Sequence, residues 1–224
     1  MRILGIETAT RAASVAVIAD GKVLAESVRE SPQSFSETLM PQVEEVIRTS
    51  GAFKKIDAVA VSIGPGSFTG LRIGLATAKA LAYAWGIKII GVPTLLAMSY
   101  NFPNAKVVSL IDAQKNRAYY QLFKDCSPLS ELTIKSIDEA VTELERFDGE
   151  IFLCGDVLNK IKVPLPPNVR LAPPNLRMPR ASSVAICAED LNRVDNVMSL
   201  EPLYVRRSEA EELWERRHNL SCEN

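Results

Sequence analysis

The sequence predicts an α/β protein made of two similar halves, each a mixed sheet with helices on its faces. Two observations predict it. The first hundred residues run strand, strand, strand, helix, strand, helix, strand, and much of that order returns after "NFPNA".

Three apolar pieces, "RILGIET", "ASVAVIA" and "KVLAESV", open the chain as an antiparallel meander. Thr10-Arg11 makes a tight first link, and Asp20-Gly21 is a two-residue hairpin signal. The stretch "SFSETLMPQVEEVIRTSG" then puts Leu39, Val43, Val46 and Ile47 at helical spacing, with Ser34 and Glu37 placed as a capping box and Gly51 as the stop. "DAVAVSIG" is a β-branched strand, "LRIGLATAKALAYAWG" a helix ending at Gly86, and "IKIIGV" a buried strand leading through Pro93-Thr94 into a short helix. In the second half "KVVSLIDA", "RAYYQLF" and "ELTIKS" read as strands, residues 137–147 as a helix, "EIFLCGD" as a strand and residues 182–193 as a helix. The proline-rich "VPLPPNVRLAPPNLRMP" reads as an extended surface connection, and the charged "SEAEELWERRHNLSCEN" as a helix that frays. The expected units are therefore residues 1–100, residues 101–210 and a tail, 211–224.

Composition narrows the function. With 224 residues, 47% of them hydrophobic, the chain can bury one large core or two modest ones. The 26 basic residues against 27 acidic ones leave no whole-molecule field to draw in nucleic acid or an anionic membrane. No secretion signal is read at the start, and no apolar run approaches the roughly 20 residues that span a bilayer. The four cysteines lie far apart without CxxC pairing, as reduced thiols rather than a disulfide frame or zinc site. A soluble, cytoplasmic protein is expected.

The segment "SIGPGSFTGLRIG" invites a catalytic reading. A dinucleotide fingerprint fails because the third glycine comes one residue late, and a P-loop fails because Gly70 is followed by Leu71-Arg72 rather than Lys-Ser/Thr. Ser67 is no nucleophile elbow, since Gly66 directly precedes it and His218, the one histidine, lies in the tail. Two readings remain: a weak anion site using Gly64, Gly66, Ser67 and Gly70, or a tight turn whose glycines let backbones pack closely. The helix behind the loop carries only Arg72 and Lys79 as charges, so it is buried on more than one side. Small residues recur four apart, at Gly74, Ala78 and Ala82 and at Ala76, Ala80 and Ala84. Either the helix is sandwiched inside its own domain or it forms a subunit interface.

"ILGIETAT", "SETLMP", "VSIGPGSFTGLRIGLATAKALA", "GVPTLLAM", "IDAQKNRAYYQLF" and "EPLYVRR" together resemble the TsaB (YeaZ) family, over residues 1–207 and most specifically at the glycine-rich block. That resemblance implies an actin-like (ASKHA) pair of ribonuclease-H-like domains of βββαβα type. It also implies a role in tRNA threonylcarbamoyladenosine modification as a noncatalytic partner of a metal-containing TsaD subunit, with a P-loop ATPase, TsaE, completing the assembly. TsaD-type proteins hold their metal through a His-x-x-x-His pair on the first helix. Here that helix has no histidine, and Phe35 stands where many TsaB relatives keep one. Actin-type ATPases begin each domain with an acid and a glycine; this chain offers Glu7-Thr8-Ala9-Thr10 and Asp112-Ala113-Gln114. Glu7, Thr8 and Asp112 thus join the weak nucleotide or anion set, with no catalytic residue, cofactor or resident metal expected. Lys115, Arg117, Arg206 and Arg207 either line an RNA path or are solvated charges, and tRNA is expected to contact mainly the partner.

The expected interface, used with TsaD or for a homodimer in its absence, is the face of the two N-terminal helices: Leu39, Val43, Val46, Ile47, Leu71, Gly74, Ala78, Lys79 and Ala82. The rival class is an enzyme, an ASKHA kinase or ATPase using Glu7 and Asp112, or a metallopeptidase. A ribonuclease-H-type nuclease ranks behind both, because it needs several acids around metals.

Overall fold

A computed structural model describes residues 1–30, 35–52 and 55–205. Strands β1 (Arg2–Glu7), β2 (Ala12–Ala19) and β3 (Lys22–Glu30) form the meander, and Asp20 and Gly21 both take positive φ as the hairpin signal requires. Helix α1 (Phe35–Ser50), strand β4 (Ala58–Gly64), helix α2 (Phe68–Trp85), strand β5 (Lys88–Pro93) and helix α3 (Thr94–Ser99) complete the first half. Its sheet has the order β3-β2-β1-β4-β5, with β4 parallel to both β1 and β5. Ser34, the predicted cap of α1, lies outside the described residues.

The second half repeats the plan. β6 (Lys106–Asp112), β7 (Arg117–Lys124), a two-residue β8 (Ser127–Pro128) and β9 (Thr133–Ser136) make the antiparallel part. α4 (Ile137–Thr142) continues as a short 3₁₀ turn, and β10 (Ile151–Gly155) pairs parallel with β6 as β4 does with β1. The proline-rich connection differs from its reading: Val169–Leu171 forms a strand, β11, parallel to β10. Period-2 patterning cannot show three residues between prolines. Helix α5 (Ala181–Leu191) follows.

The halves exchange helices. α5, assigned by sequence to the second unit, packs on the first sheet, where Val184, Ala185 and Ala188 join Ile3, Ile18 and Ala60. α3, which ends the first half, sends Leu95 and Met98 against Val107, Ile111 and Phe123 of the second sheet. α1 and α2 cover the other face of the first sheet, burying Leu39, Val43, Val46 and Ala78 against Leu4, Ile6 and Val59. Residues 193–205 then run as a strap from α5 across β5 to the start of α2: Asp195 N donates to Ile89 O at 2.9 Å and Leu203 N to Ile63 O at 2.7 Å. No helix among the described residues is long and apolar enough to cross a membrane. The predicted tail helix with His218 and Cys222, and the separately noted Arg206 and Arg207, lie outside the described residues.

Candidate functional site

The glycine-rich loop is filled by its own protein. β4 ends at Gly64, whose φ of +116° suits glycine and whose missing side chain leaves room for Leu203 O, 2.9 Å from where a Cβ would stand. Ser67 caps α2 by accepting the Gly70 amide at 3.2 Å, and Ser67 N donates to Ala9 O at 2.7 Å. A Cβ on Gly66 would meet Ala9 O at 2.4 Å, one on Gly70 Thr8 O at 2.0 Å, and one on Gly74 Thr8 Oγ1 at 2.1 Å. Thr8 Oγ1 donates to Gly70 O at 2.8 Å. The turn between β1 and β2 therefore sits where an anion would, and the glycines serve close packing.

The structure brings Glu7, Thr8, Gly66, Ser67 and Gly70 together, with Glu7, Thr8 and Gly70 buried, Gly66 half-buried and Ser67 exposed. Glu7 has no exposed surface, and burial pushes its carboxyl up to about 7, opposed by the Ser62 hydroxyl and the Ala9 amide. Asp112 closes β6 in other company. It pairs with Lys160 at 2.5 Å, its Oδ1 accepts the Gln114 amide at 2.9 Å, and its own amide donates to Asp156 Oδ1 at 2.8 Å. Burial also raises Asp156 above the usual carboxylate range. Among the described residues no group of three His, Cys, Asp or Glu side chains could hold a metal ion. Arg117 is exposed with one guanidinium nitrogen on Ile134 O at 3.2 Å, and Lys115 is exposed in a turn whose neighbours Gln114 and Asn116 share its positive φ.

The side chains expected at an interface face inward. Leu39, Val43, Val46, Ile47, Leu71, Ala78 and Ala82 are all at most 9% exposed, and Gly74 is buried against Thr8. Lys79 is tied to the strap, donating to Met198 O at 3.0 Å and Leu200 O at 3.2 Å. These residues contact the sheet because apolar positions three and four apart share the buried stripe. The outward row of α2 is the other small-residue row: Arg72, Ala76, Ala80 and Ala84 are exposed, flanked by Phe68 and by Tyr83 at 76%. The phase of α2 against Leu71, Leu75 and Ala78 would have located that row. The strap had no such signal. Its Tyr204 stacks on Phe68 with ring centroids 5.0 Å apart, its hydroxyl accepts from Arg72 Nε at 3.0 Å, and Arg72 lies 3.8 Å over the Phe68 ring.

Comparison with known proteins places this arrangement. The family model for TsaD, tRNA N6-adenosine threonylcarbamoyltransferase, matches residues 22–169. The tRNA threonylcarbamoyladenosine biosynthesis protein TsaB of Bacillus subtilis (strain 168) is 27% identical over 225 residues, covering 96% of this chain and 98% of that protein. The TsaB of Escherichia coli (strain K12) is 39% identical over 125 residues, 54% of each chain. The chain belongs to the TsaB (YeaZ) family. In the E. coli case the match spans about half the length of the relative. YeaZ from Pseudomonas aeruginosa superposes with a TM-score of 0.74 at 22% identity, over 91% of this chain and 99% of that one. The ROK hexokinase of Thermus thermophilus does so at 0.51 and 12%, over 85% and 99%. The family fold is thus the actin-like one, two mixed sheets with helices between and around them.

Proposed function

We propose that the chain is a noncatalytic binding subunit in tRNA threonylcarbamoyladenosine biosynthesis, docking a TsaD-like subunit that transfers the threonylcarbamoyl group to the adenosine beside the anticodon. The observation that carries this reading is the outer face of α2. A helix with one exposed cation, three exposed alanines four apart and a tyrosine 76% exposed is poorly suited to water and well suited to close approach by another helix. The loop supports the noncatalytic part: Ser67 is spent on a cap, Glu7 reaches no solvent, and Gly66, Gly70 and Gly74 are packed against Thr8 and Ala9.

In the same reading a TsaE-like P-loop ATPase joins the assembly, tRNA is held mainly by the partner, and two copies pair through the same face when the partner is absent. The domain division and the weak anion set carry over as part of the proposal only in modified form, with α5 belonging to the first unit and Glu7 acting structurally. Size-exclusion chromatography with light scattering tests the docking face: this chain and a TsaD-like subunit co-elute, and Ala80→Arg abolishes co-elution without altering the melting temperature. Unchanged co-elution would overturn the assignment of α2.

A further inference from the structure

The strap runs up to the outer face of α2 and grips a side chain there. Lys79 holds Met198 O and Leu200 O, and Leu203 N donates to Ile63 O at 2.7 Å, so the segment is fixed to α2 and β4 before it reaches Tyr204. Tyr204 stacks on Phe68 with ring centroids 5.0 Å apart, and its hydroxyl accepts from Arg72 Nε at 3.0 Å. Arg72 itself lies 3.8 Å over the Phe68 ring. An exposed cation is thus held by an aromatic residue 132 positions away in the sequence.

What is held has its working end free. The ring contact and the Nε bond leave the two terminal nitrogens of the guanidinium. Among the described residues neither donates a hydrogen bond, and no carboxylate pairs with them. The edge left open is the flat two-pronged donor that fits a carboxylate in a bidentate pair. A long side chain ordinarily loses rotamer freedom on binding, and here the aromatic contacts have restricted it already. One turn further along the same row comes Ala76, then Ala80 and Ala84. Small residues admit a helix backbone closely but give it no register, whereas a charge at one end of the row does. The row continues as alanines and not as further cations, which matches one acidic side chain on a protein helix rather than the repeated phosphates of a nucleic-acid strand.

We propose that Arg72 is the specificity anchor for the partner: aimed by Phe68 and Tyr204, it takes an Asp or Glu carboxylate of the TsaD-like subunit and sets the register of the helices, an assignment that rests on the outer face of α2 being the docking face. Tyr204 is then a positioning residue, which gives the strap a part in recognition as well as in folding.

The test is titration calorimetry of the full chain against a TsaD-like subunit at low and high salt, with a thermal melt of every variant. Arg72→Ala is expected to weaken binding about thirtyfold and to flatten its salt dependence. Arg72→Lys, which keeps the charge and loses the fork, should weaken it about tenfold, and Tyr204→Phe about threefold. Each exposed Asp and Glu of the partner is also changed in turn to Ala. One of these changes should be coupled to Arg72, so that combining the two weakens binding hardly more than Arg72→Ala alone. If Arg72→Ala melts early, Arg72→Lys and that coupling decide. Binding within threefold of wild type for both Arg72 variants, or losses additive with every partner acid, would overturn the anchor. The docking face itself stands in that case if Ala80→Arg still abolishes binding. No binding by the wild type, or binding that Ala80→Arg leaves intact, removes the docking face and the anchor together. A gel shift of the chain alone with tRNA covers the remaining outcome: if Arg72→Ala weakens tRNA binding and not subunit binding, Arg72 serves phosphate and the proposal falls.

Discussion

Gly74→Ala is the sharpest probe of why the loop is rich in glycine. An alanine Cβ there would stand 2.1 Å from Thr8 Oγ1 and 3.3 Å from Thr8 Cβ, far inside contact distance. Overpacking of this kind costs about 2–3 kcal/mol, and the better helix propensity of alanine returns about 1 kcal/mol, leaving a net loss of about 1–2 kcal/mol. For a chain of this size that lowers the melting temperature by about 3–6 °C. Thr8→Ala alone removes a buried hydrogen bond and a methyl group, for a loss of about 1–2 kcal/mol. The two changes should not add. With Thr8 truncated the new Cβ has space, so the double variant is expected to be at least as stable as Thr8→Ala, a coupling of about 2–3 kcal/mol. Urea denaturation of the four proteins measures it. Additivity within about 0.5 kcal/mol, or stabilisation by Gly74→Ala alone, would refute the claim that Gly74 exists to admit Thr8.

Other expectations follow from the same coordinates. Because the folded Glu7 carboxyl titrates near 7 and an unfolded one near 4.5, the folded state binds the proton more tightly. The corresponding stability is fully present below pH 4.5 and is lost as pH rises to 7, by about 3 kcal/mol. Urea midpoints across that range should show the decline, and Glu7→Gln should remove it. Glu26 holds the start of α5 by accepting from Ser182 N at 3.0 Å, Ser182 Oγ at 2.7 Å and the Arg180 guanidinium. Glu26→Ala should therefore cost about 2–3 kcal/mol in a thermal melt, and a loss below about 0.5 kcal/mol would show that water replaces it. Burial pushes the Cys154 and Cys187 thiols up to about 12, so mass-mapped alkylation at pH 8 should leave both unmodified until denaturant is added.

Much of the fold was legible because local chemistry and global topology agree. Asp20-Gly21 fixed the second hairpin, Gly86 ended α2 in a left-handed cap, and the return of the strand-rich pattern after Pro103 announced the second sheet. What was hidden is tertiary. Nothing local tells α5 to cross to the first sheet, and β11 is too short for a periodic signal. Small residues along α2 were visible as two rows; the helical phase set by Leu71, Leu75 and Ala78 assigns Gly74, Ala78 and Ala82 to the buried side and Ala76, Ala80 and Ala84 to the outer one, but that Gly74 admits Thr8 is tertiary. Glu7 looked like a cleft acid because it ends a strand. Its burial comes from a turn 60 residues away in sequence folding over it, through Ser67 N and Gly70 O. The "EPLYVRR" motif was quoted for resemblance alone, yet its Leu203 and Tyr204 brace the loop and the start of α2.

Reconstituted tRNA modification tests the proposed function most directly. A TsaD-like subunit, a TsaE-like ATPase, threonylcarbamoyl-adenylate and an adenosine-bearing tRNA are incubated with and without this chain, and modified nucleoside is quantified by mass spectrometry. Modification should depend on the chain, survive Glu7→Gln at pH 7, and be lost with Ala80→Arg although that variant folds. Modification that proceeds equally well without the chain would contradict its role as a required binding subunit.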